Sequence, residues 1–73
     1  MIEVKEASYI SGYSVEIVFN NGLRKVVDLS NSLNGQIFEL LRDVQFFQKF
    51  KINFNTTEWE NGADFAPEYL YQL

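Results

Sequence analysis

This chain of 73 residues lacks two residue types on which many small proteins depend. It contains no cysteine and no histidine, which excludes disulfide bridges and the usual zinc ligands. The same absence removes the commonest nucleophile–base pairs of covalent catalysis. We therefore expect no metal, no cofactor and no catalytic residue, and hence a protein that is not an enzyme.

Long apolar runs are also missing. No segment approaches the roughly 20 apolar residues of a transmembrane helix. The first residues show neither the basic start nor the apolar stretch of a signal peptide. The expected protein is cytoplasmic and makes no contact with a membrane.

Basic residues are absent from one region. Residues 1–51 carry six acidic and six basic side chains, whereas residues 52–73 carry four acidic ones and no basic one, which leaves a net charge of −4. Nucleic acids are bound chiefly through Lys and Arg, so we expect no direct contact with nucleic acid. The acidic excess is either a surface that docks a basic partner or a solubilising face.

Apolar residues, by contrast, are abundant. They make up 47% of the chain, and seven Phe, four Tyr and one Trp bring aromatics to 16%. Each buried aromatic removes about 150–250 Å² from water, so the chain can form its own core as a single domain over residues 1–73. A chain this short buries only about 60% of its unfolded surface, and the alternative is a core completed by a second subunit.

Alternating apolar and polar residues predict the strands. The alternation covers residues 2–9 and 13–20, and it returns around Ile52 and Phe54. The segment Asn55-Thr56-Thr57 is predicted to turn the chain into a short strand that runs through Trp59.

The sequence Asn20-Asn21-Gly22 predicts a hairpin, because Asn and Gly tolerate positive φ. A loop of three residues sets Val15 opposite Val27 and leaves Ile17 facing Lys25 as its one mismatch. A loop of two residues would instead pair apolar with charged side chains. We therefore predict the three-residue loop, with glycine in the bulge position.

Two short helical segments are predicted between the hairpin and the later strands. The first carries an i, i+3, i+4 pattern of apolar residues, namely Ile37, Phe38, Leu40 and Leu41. Asp43 is predicted to cap the second, which contains Phe46, Phe47 and Phe50.

Pro67 suits the first turn of a terminal helix, where its missing N–H has no cost. Asp64 or a neighbour is expected to cap this helix, and Glu68 to favour its positive end. The predicted fold is therefore α+β, with a small, mainly antiparallel sheet of four to five strands, two short inserted helical segments and a short C-terminal helix.

Four sequence elements together resemble a bacterial family known as domain of unknown function 2442. They cover nearly the whole chain, and the last of them is the most specific. They are Phe19-x-Asn21-Gly22, Val27-Asp28-Leu29, Leu40-x-x-Asp43-x-x-x-Phe47 and Trp59-x-Asn61-Gly62-Ala63-Asp64-x-Ala66-Pro67-Glu68-x-Leu70-Tyr71. Such proteins often have proline after the tryptophan and after the aspartate of the third element. This chain has Glu60 and Val44 at those positions.

The resemblance implies no established activity. Members of the family are similar to small bacterial proteins often encoded beside another small protein, an arrangement like that of toxin–antitoxin pairs. The resemblance therefore implies an interaction module, with an antitoxin-like role, more than an enzyme.

We expect the interaction surface in the acidic C-terminal third and its partner to be a small basic protein. The candidate residues are Glu58, Trp59, Glu60, Asn61, Asp64, Glu68, Tyr69 and Tyr71. The two tyrosines either close the core over the sheet or form an exposed amphipathic face.

Two other functions stay open from the sequence. One is a self-associating structural domain that completes its core as a homodimer. The other is a minimal metal-dependent enzyme, since hard cations such as Mg²⁺ take carboxylate oxygens of the kind found in residues 58–68. No calcium-loop spacing is present in that region.

Overall fold

The computed structural model describes residues 1–73 as an α+β fold with two small antiparallel sheets. The first sheet has the order β1–β2–β3, and the second consists of β4 and β5. The strands are β1 (Val4–Ser11), β2 (Ser14–Phe19), β3 (Arg24–Asp28), β4 (Lys51–Asn53) and β5 (Thr56–Glu58). The helical elements are a 3₁₀ helix (Gln36–Arg42), α1 (Val44–Phe47) and α2 (Pro67–Gln72). The predicted class is confirmed, with the strands divided between two sheets.

The first hairpin has the predicted register. Val15 lies opposite Val27 and Ile17 opposite Lys25. Gly22 adopts φ +87°, in the left-handed region that a bulged three-residue loop requires. The prediction of a three-residue loop, which was based on apolar pairing across the strands, is therefore confirmed.

Lys25 has a structural reason for facing Ile17. Its half-buried side chain extends from the inner face of β3, and its ammonium donates hydrogen bonds to the carbonyl oxygens of Tyr71 (2.9 Å) and Leu73. These carbonyls lie at the C-terminal end of α2, where the helix dipole favours a cation. The apparent mismatch therefore connects the first sheet to the terminal helix.

The tip of the same hairpin also holds the first residues of the chain. The Asn20 side chain donates to the Met1 carbonyl at 2.8 Å and accepts from Glu3 N–H at 3.1 Å. The adjacent Asn21 donates from its side chain to the Tyr71 hydroxyl at 3.1 Å. Together with Lys25, these two asparagines bind both terminal segments of the chain to one hairpin.

The turn over residues 59–63 repeats the hydrogen bonds of the first hairpin. Trp59 N–H donates to the Ala63 carbonyl at 2.8 Å, and Gly62 N–H donates to the Trp59 carbonyl at 2.9 Å. Asn61 accepts from Ala63 N–H at 3.1 Å, and Gly62 has φ +89°. The equivalent bonds of the first hairpin join residues 19–23 at 2.9–3.0 Å. An aromatic residue, one free position, Asn-Gly and an apolar residue thus produce the same bulged turn twice.

One core joins the two sheets and the helices. Trp59 lies at its centre with 1% of its surface exposed. Its indole N–H donates to the Phe47 carbonyl at 2.8 Å, and its ring lies 5.5–5.8 Å from those of Phe47, Phe50 and Phe65. Leu70 of α2 is also fully buried. Aromatic burial therefore provides much of the cohesion that disulfides or a metal supply in other small domains.

The first inserted helix is 3₁₀, which alters the predicted apolar stripe. With three residues per turn, positions i and i+3 eclipse each other. Leu41 is buried and Phe38 half-buried, whereas Ile37 and Leu40 form a separate, exposed row. The second helical segment is as predicted, since the Asp43 carboxylate accepts from Gln45 N–H at 3.0 Å.

The second sheet has a tighter turn than predicted. β4 and β5 are joined by Phe54 and Asn55 alone, with φ of +50° and +66°. Positive φ at both positions is typical of a type I′ turn. The prediction of Phe54 within a strand and of a turn over residues 55–57 was therefore wrong. Phe54 lies at the tip, 86% exposed, in a conformation that is strained for an aromatic residue.

The terminal helix begins at Pro67 as predicted, but its predicted cap was wrong. Ala66 occupies the N-cap position, and no side chain caps the helix. Asp64 instead forms a β-bridge with Glu58. The bridge holds the backbone of Asp64 in an extended conformation, two residues before the N-cap position. Its carboxylate therefore does not cap the helix.

Replacement of Gly22 by valine should lower the free energy of unfolding by about 1 kcal/mol or more, because a β-branched residue tolerates positive φ poorly. A Cβ at this position would meet no atom within 4 Å, so the cost arises in the backbone alone. Gly22→Asn, which keeps access to positive φ, should cost less. Urea denaturation checks both, and an unchanged midpoint for the valine variant would contradict the bulged turn.

The two buried threonines of β5 provide a second prediction. Thr56 donates from its hydroxyl to the Phe65 carbonyl, whereas the Thr57 hydroxyl has no hydrogen-bond partner. A buried unpaired hydroxyl costs about 1–3 kcal/mol. Thr57→Val should therefore raise the free energy of unfolding and Thr56→Val should lower it. Equal shifts of the two urea midpoints would show that the Thr57 hydroxyl does obtain a partner.

Candidate interaction surface

The acidic candidates lie along one hairpin and at the start of α2. The bridge between Glu58 and Asp64 sets these residues directly opposite each other, with Glu60 in the turn between them. Glu60, Asp64 and Glu68 are exposed, and Glu58 is half-buried. We call residues 58–64 the acidic hairpin. Carboxylates directly opposite each other repel, so this arrangement costs stability unless a cation approaches.

Glu58 has polar neighbours on the adjacent strand. It lies opposite Lys51 in the β4–β5 ladder, and its carboxylate accepts a hydrogen bond from the Asn53 side chain at 2.8 Å. The ion pairs of the protein are Lys5–Glu3 at 3.9 Å, at the start of β1, and Arg24–Glu16 at 2.9 Å, between β3 and β2. None of the carboxylates of the acidic hairpin therefore forms an ion pair within the chain, and Lys51 is the basic residue that faces Glu58 across the ladder.

Trp59 and Asn61 have structural roles within the acidic hairpin. Trp59 is buried in the core, so its inclusion in an exposed surface was wrong. Strand alternation puts it on the inner face, opposite its acidic neighbours. Asn61 is half-buried and donates from its side chain to the Ile37 carbonyl at 2.9 Å. It thereby fixes the hairpin against the 3₁₀ helix.

The two tyrosines of α2 make different contacts. The Tyr71 ring packs edge-on against Phe19, with centroids 5.0 Å apart. Tyr69 stacks on Phe65 at 5.7 Å, and its hydroxyl lies 2.6 Å from the Ser32 hydroxyl. Tyr71 is half-buried and helps close the core over the sheet, whereas Tyr69 is 42% exposed. The candidate residues thus divide into three groups, which are the acidic residues, the structural residues Trp59 and Asn61, and the two tyrosines of α2.

Sequence reasoning missed two apolar residues at this surface. Ile37 and Leu40 are 50% and 56% exposed, and the hydrogen bond from Asn61 places their helix beside the acidic hairpin. The sequence analysis assigned them to the apolar face of the first helical segment, because it assumed the period of an α-helix. A period of three, which separates the pairs 37/40 and 38/41, would have identified them. We call Ile37, Leu40 and the acidic hairpin together the acidic–apolar surface.

The chemistry of this surface is that of charge and apolar contact. No group of three or more Asp or Glu side chains converges as the ligands of a metal ion would. No cavity opens at the surface. No helix has the length and apolar character needed to cross a membrane.

The protein is a small α+β domain whose surface shows neither a metal cluster nor a cavity. The sequence profile of a family described as a protein of unknown function, DUF2442, matches residues 4–73. The chain therefore belongs to this family, as its sequence elements indicated. Neither the curated proteins nor the solved structures include a significant match.

Two adjacent leucines test the arrangement of the 3₁₀ helix. Leu41→Ala should lower the free energy of unfolding by about 2–5 kcal/mol, because the side chain is fully buried. Leu40→Ala should change it by no more than about 0.5 kcal/mol, as exposed substitutions do. Both variants replace leucine by alanine, so urea denaturation compares the two positions directly. Equal losses would show that both leucines face the core, as in a regular α-helix.

Proposed function

We propose that this protein is a non-enzymatic binding module that docks a basic protein through the acidic–apolar surface. The observation that carries the proposal is the group of carboxylates on the acidic hairpin that form no ion pair within the chain, with Glu58 and Asp64 directly opposite each other. A cationic partner would relieve that repulsion. Attraction of this kind also speeds association at long range.

The exposed apolar pair supports the same proposal. Ile37 and Leu40 lie beside the acidic hairpin and have no partner within the chain that covers them. An apolar centre with a charged rim is the usual composition of a protein–protein interface. The partner that fits such a surface carries Lys or Arg around an apolar contact.

An antitoxin-like form of the proposal, in which the partner is a small basic protein encoded nearby, rests on what the sequence resemblance implies. Both proteins would then act in the cytoplasm. A metal-dependent reaction has no comparable support, since the carboxylates do not gather into a group of metal ligands. Self-association is supported by a separate feature of β3, described below.

The proposal is tested first by purification of the untagged protein from its own cells, which should yield a stoichiometric small basic protein. The association rate of the two purified proteins should fall several-fold at low salt when Glu58 and Glu60 are both replaced by Gln. The difference should disappear at high salt, because ions screen the attraction. Stability should stay within about 0.5 kcal/mol, since Gln keeps the shape of both side chains.

The matched control is Glu3→Gln with Glu6→Gln, which removes two negative charges at and just before β1. This control should leave the association rate nearly unchanged. If the Glu58/Glu60 variant associates as fast and as tightly as the wild type, or if no basic protein co-purifies, the proposed function is wrong. The acidic excess would then serve solubility alone.

A further inference from the structure

One edge of the first sheet is open. The order β1–β2–β3 makes β1 and β3 the edge strands. At β1 the turn of the second sheet approaches, where Val4 N–H donates to the Asn55 carbonyl at 2.9 Å. Strand β3 pairs with β2 only. An open strand edge presents unpaired backbone groups, which are a ready template for pairing with another chain.

Every second residue of β3 directs its backbone to this open edge. Phe19 N–H donates to the Leu23 carbonyl, so Leu23 and the alternate residues after it bond to β2. The residues between them point the other way in an antiparallel ladder. The N–H and C=O groups of Arg24, Val26 and Asp28 therefore face outward, and no turn, loop or cap hydrogen bond reaches them.

The side chains at these three positions are self-complementary. All three are exposed, Val26 by 57%. When two copies of β3 align antiparallel about Val26, Arg24 of each copy faces Asp28 of the other. Opposite charges directly across a strand pair stabilise it. A shift of about two residues in either direction would set one of these charges opposite Val26 and lose that match.

We propose that the β3 edge binds a second copy of this chain, antiparallel and centred on Val26. Two three-stranded sheets then become one continuous sheet. In this register every outward N–H and C=O of Arg24, Val26 and Asp28 meets a partner. The acidic–apolar surface takes no part in this contact.

Both charged groups keep free hydrogen-bonding capacity for the second copy. The Arg24 guanidinium donates to Glu16 of its own sheet at 2.9 Å through one nitrogen, which leaves its other N–H groups free. The Asp28 carboxylate accepts from Ser30 N–H at 2.9 Å, and the several lone pairs of a carboxylate allow it to accept from the second copy as well. Hydrogen bonds from Ser30 hold the pKa of Asp28 below its usual value, so the group is ionised at neutral pH.

The contact is small, and its strength follows from its size. Strand β3 has five residues, and pairing along it buries less than the roughly 1,200 Å² of a standard stable interface. We expect a dimer that forms at high micromolar to millimolar concentration and dissociates on dilution.

A single introduced cysteine tests the register. Because the chain has no cysteine, Val26→Cys supplies one thiol per copy. Facing Cα atoms of a hydrogen-bonded antiparallel pair lie about 5.5 Å apart, within reach of a disulfide. Under mild oxidation the Val26→Cys dimer should form at least about tenfold faster than that of Arg24→Cys, whose thiols would lie far apart in this register. Ile10→Cys on β1, 50% exposed, is the control for random collision.

Charge reversal tests the Arg24–Asp28 contact without a crosslink, by sedimentation equilibrium up to high concentration. Asp28→Arg sets like charges opposite each other twice per dimer and should weaken association at least about tenfold. The double variant Arg24→Asp with Asp28→Arg restores opposite charges and should recover most of that loss. Glu6→Arg makes the same change of net charge on β1 and should have little effect.

Val26→Pro provides a separate arm that leaves the charges alone. Proline removes an outward N–H that makes no hydrogen bond to β2. The urea midpoint should therefore fall less than it would for a proline in a central strand. Dimerisation should be lost.

A wild-type chain that stays monomeric at millimolar concentration overturns the proposal. So does equal crosslinking of Val26→Cys and Ile10→Cys, or failure of the double charge reversal to restore association.

Discussion

The fold depends on the burial of Trp59. Its indole hydrogen bond to Phe47 fixes α1 against the acidic hairpin, and its ring contacts aromatics that precede β4 and α2. A chain without disulfides or metals has to join its elements through side-chain packing. One residue here joins the second sheet, the inserted helix and the terminal segment, and its alternation with charged neighbours places the acidic residues on the outer face of the same hairpin.

Features set by neighbouring residues could be predicted from the sequence. The bulged hairpin at Gly22 and the cap at Asp43 rest on backbone preferences within a few positions, and apolar pairing confirmed the register. Features set by tertiary contacts could not. Asp64 is held by its bridge to Glu58 in place of capping a helix, and the 3₁₀ period separates Leu40 from the core. The acidic part of the candidate site was therefore predictable, whereas its apolar part required the three-dimensional arrangement.

The protein presents two surfaces of different physical character. The acidic–apolar surface has an excess of one charge, and a surface of this kind repels a copy of itself and attracts a basic partner. The edge of β3 carries a positive charge at Arg24 and a negative charge at Asp28. When two copies lie antiparallel, each charge faces the opposite charge of the other copy. The first surface therefore favours a different protein and the second favours self-association, and each can be altered without changing the other.

The hairpin tip around Asn20, Asn21 and Lys25 has a consequence for the order of folding events. Its hydrogen bonds reach residues up to 50 positions away in the chain. Closing so long a loop costs entropy before the contacts compensate for it, so these bonds belong to the late part of the folding reaction. Changes that remove only these long-range bonds should then act mainly on the rate of unfolding, while the rate of folding is governed by the local pairing of β2 with β3. The lifetime of the native state, more than the speed of reaching it, depends on this tip.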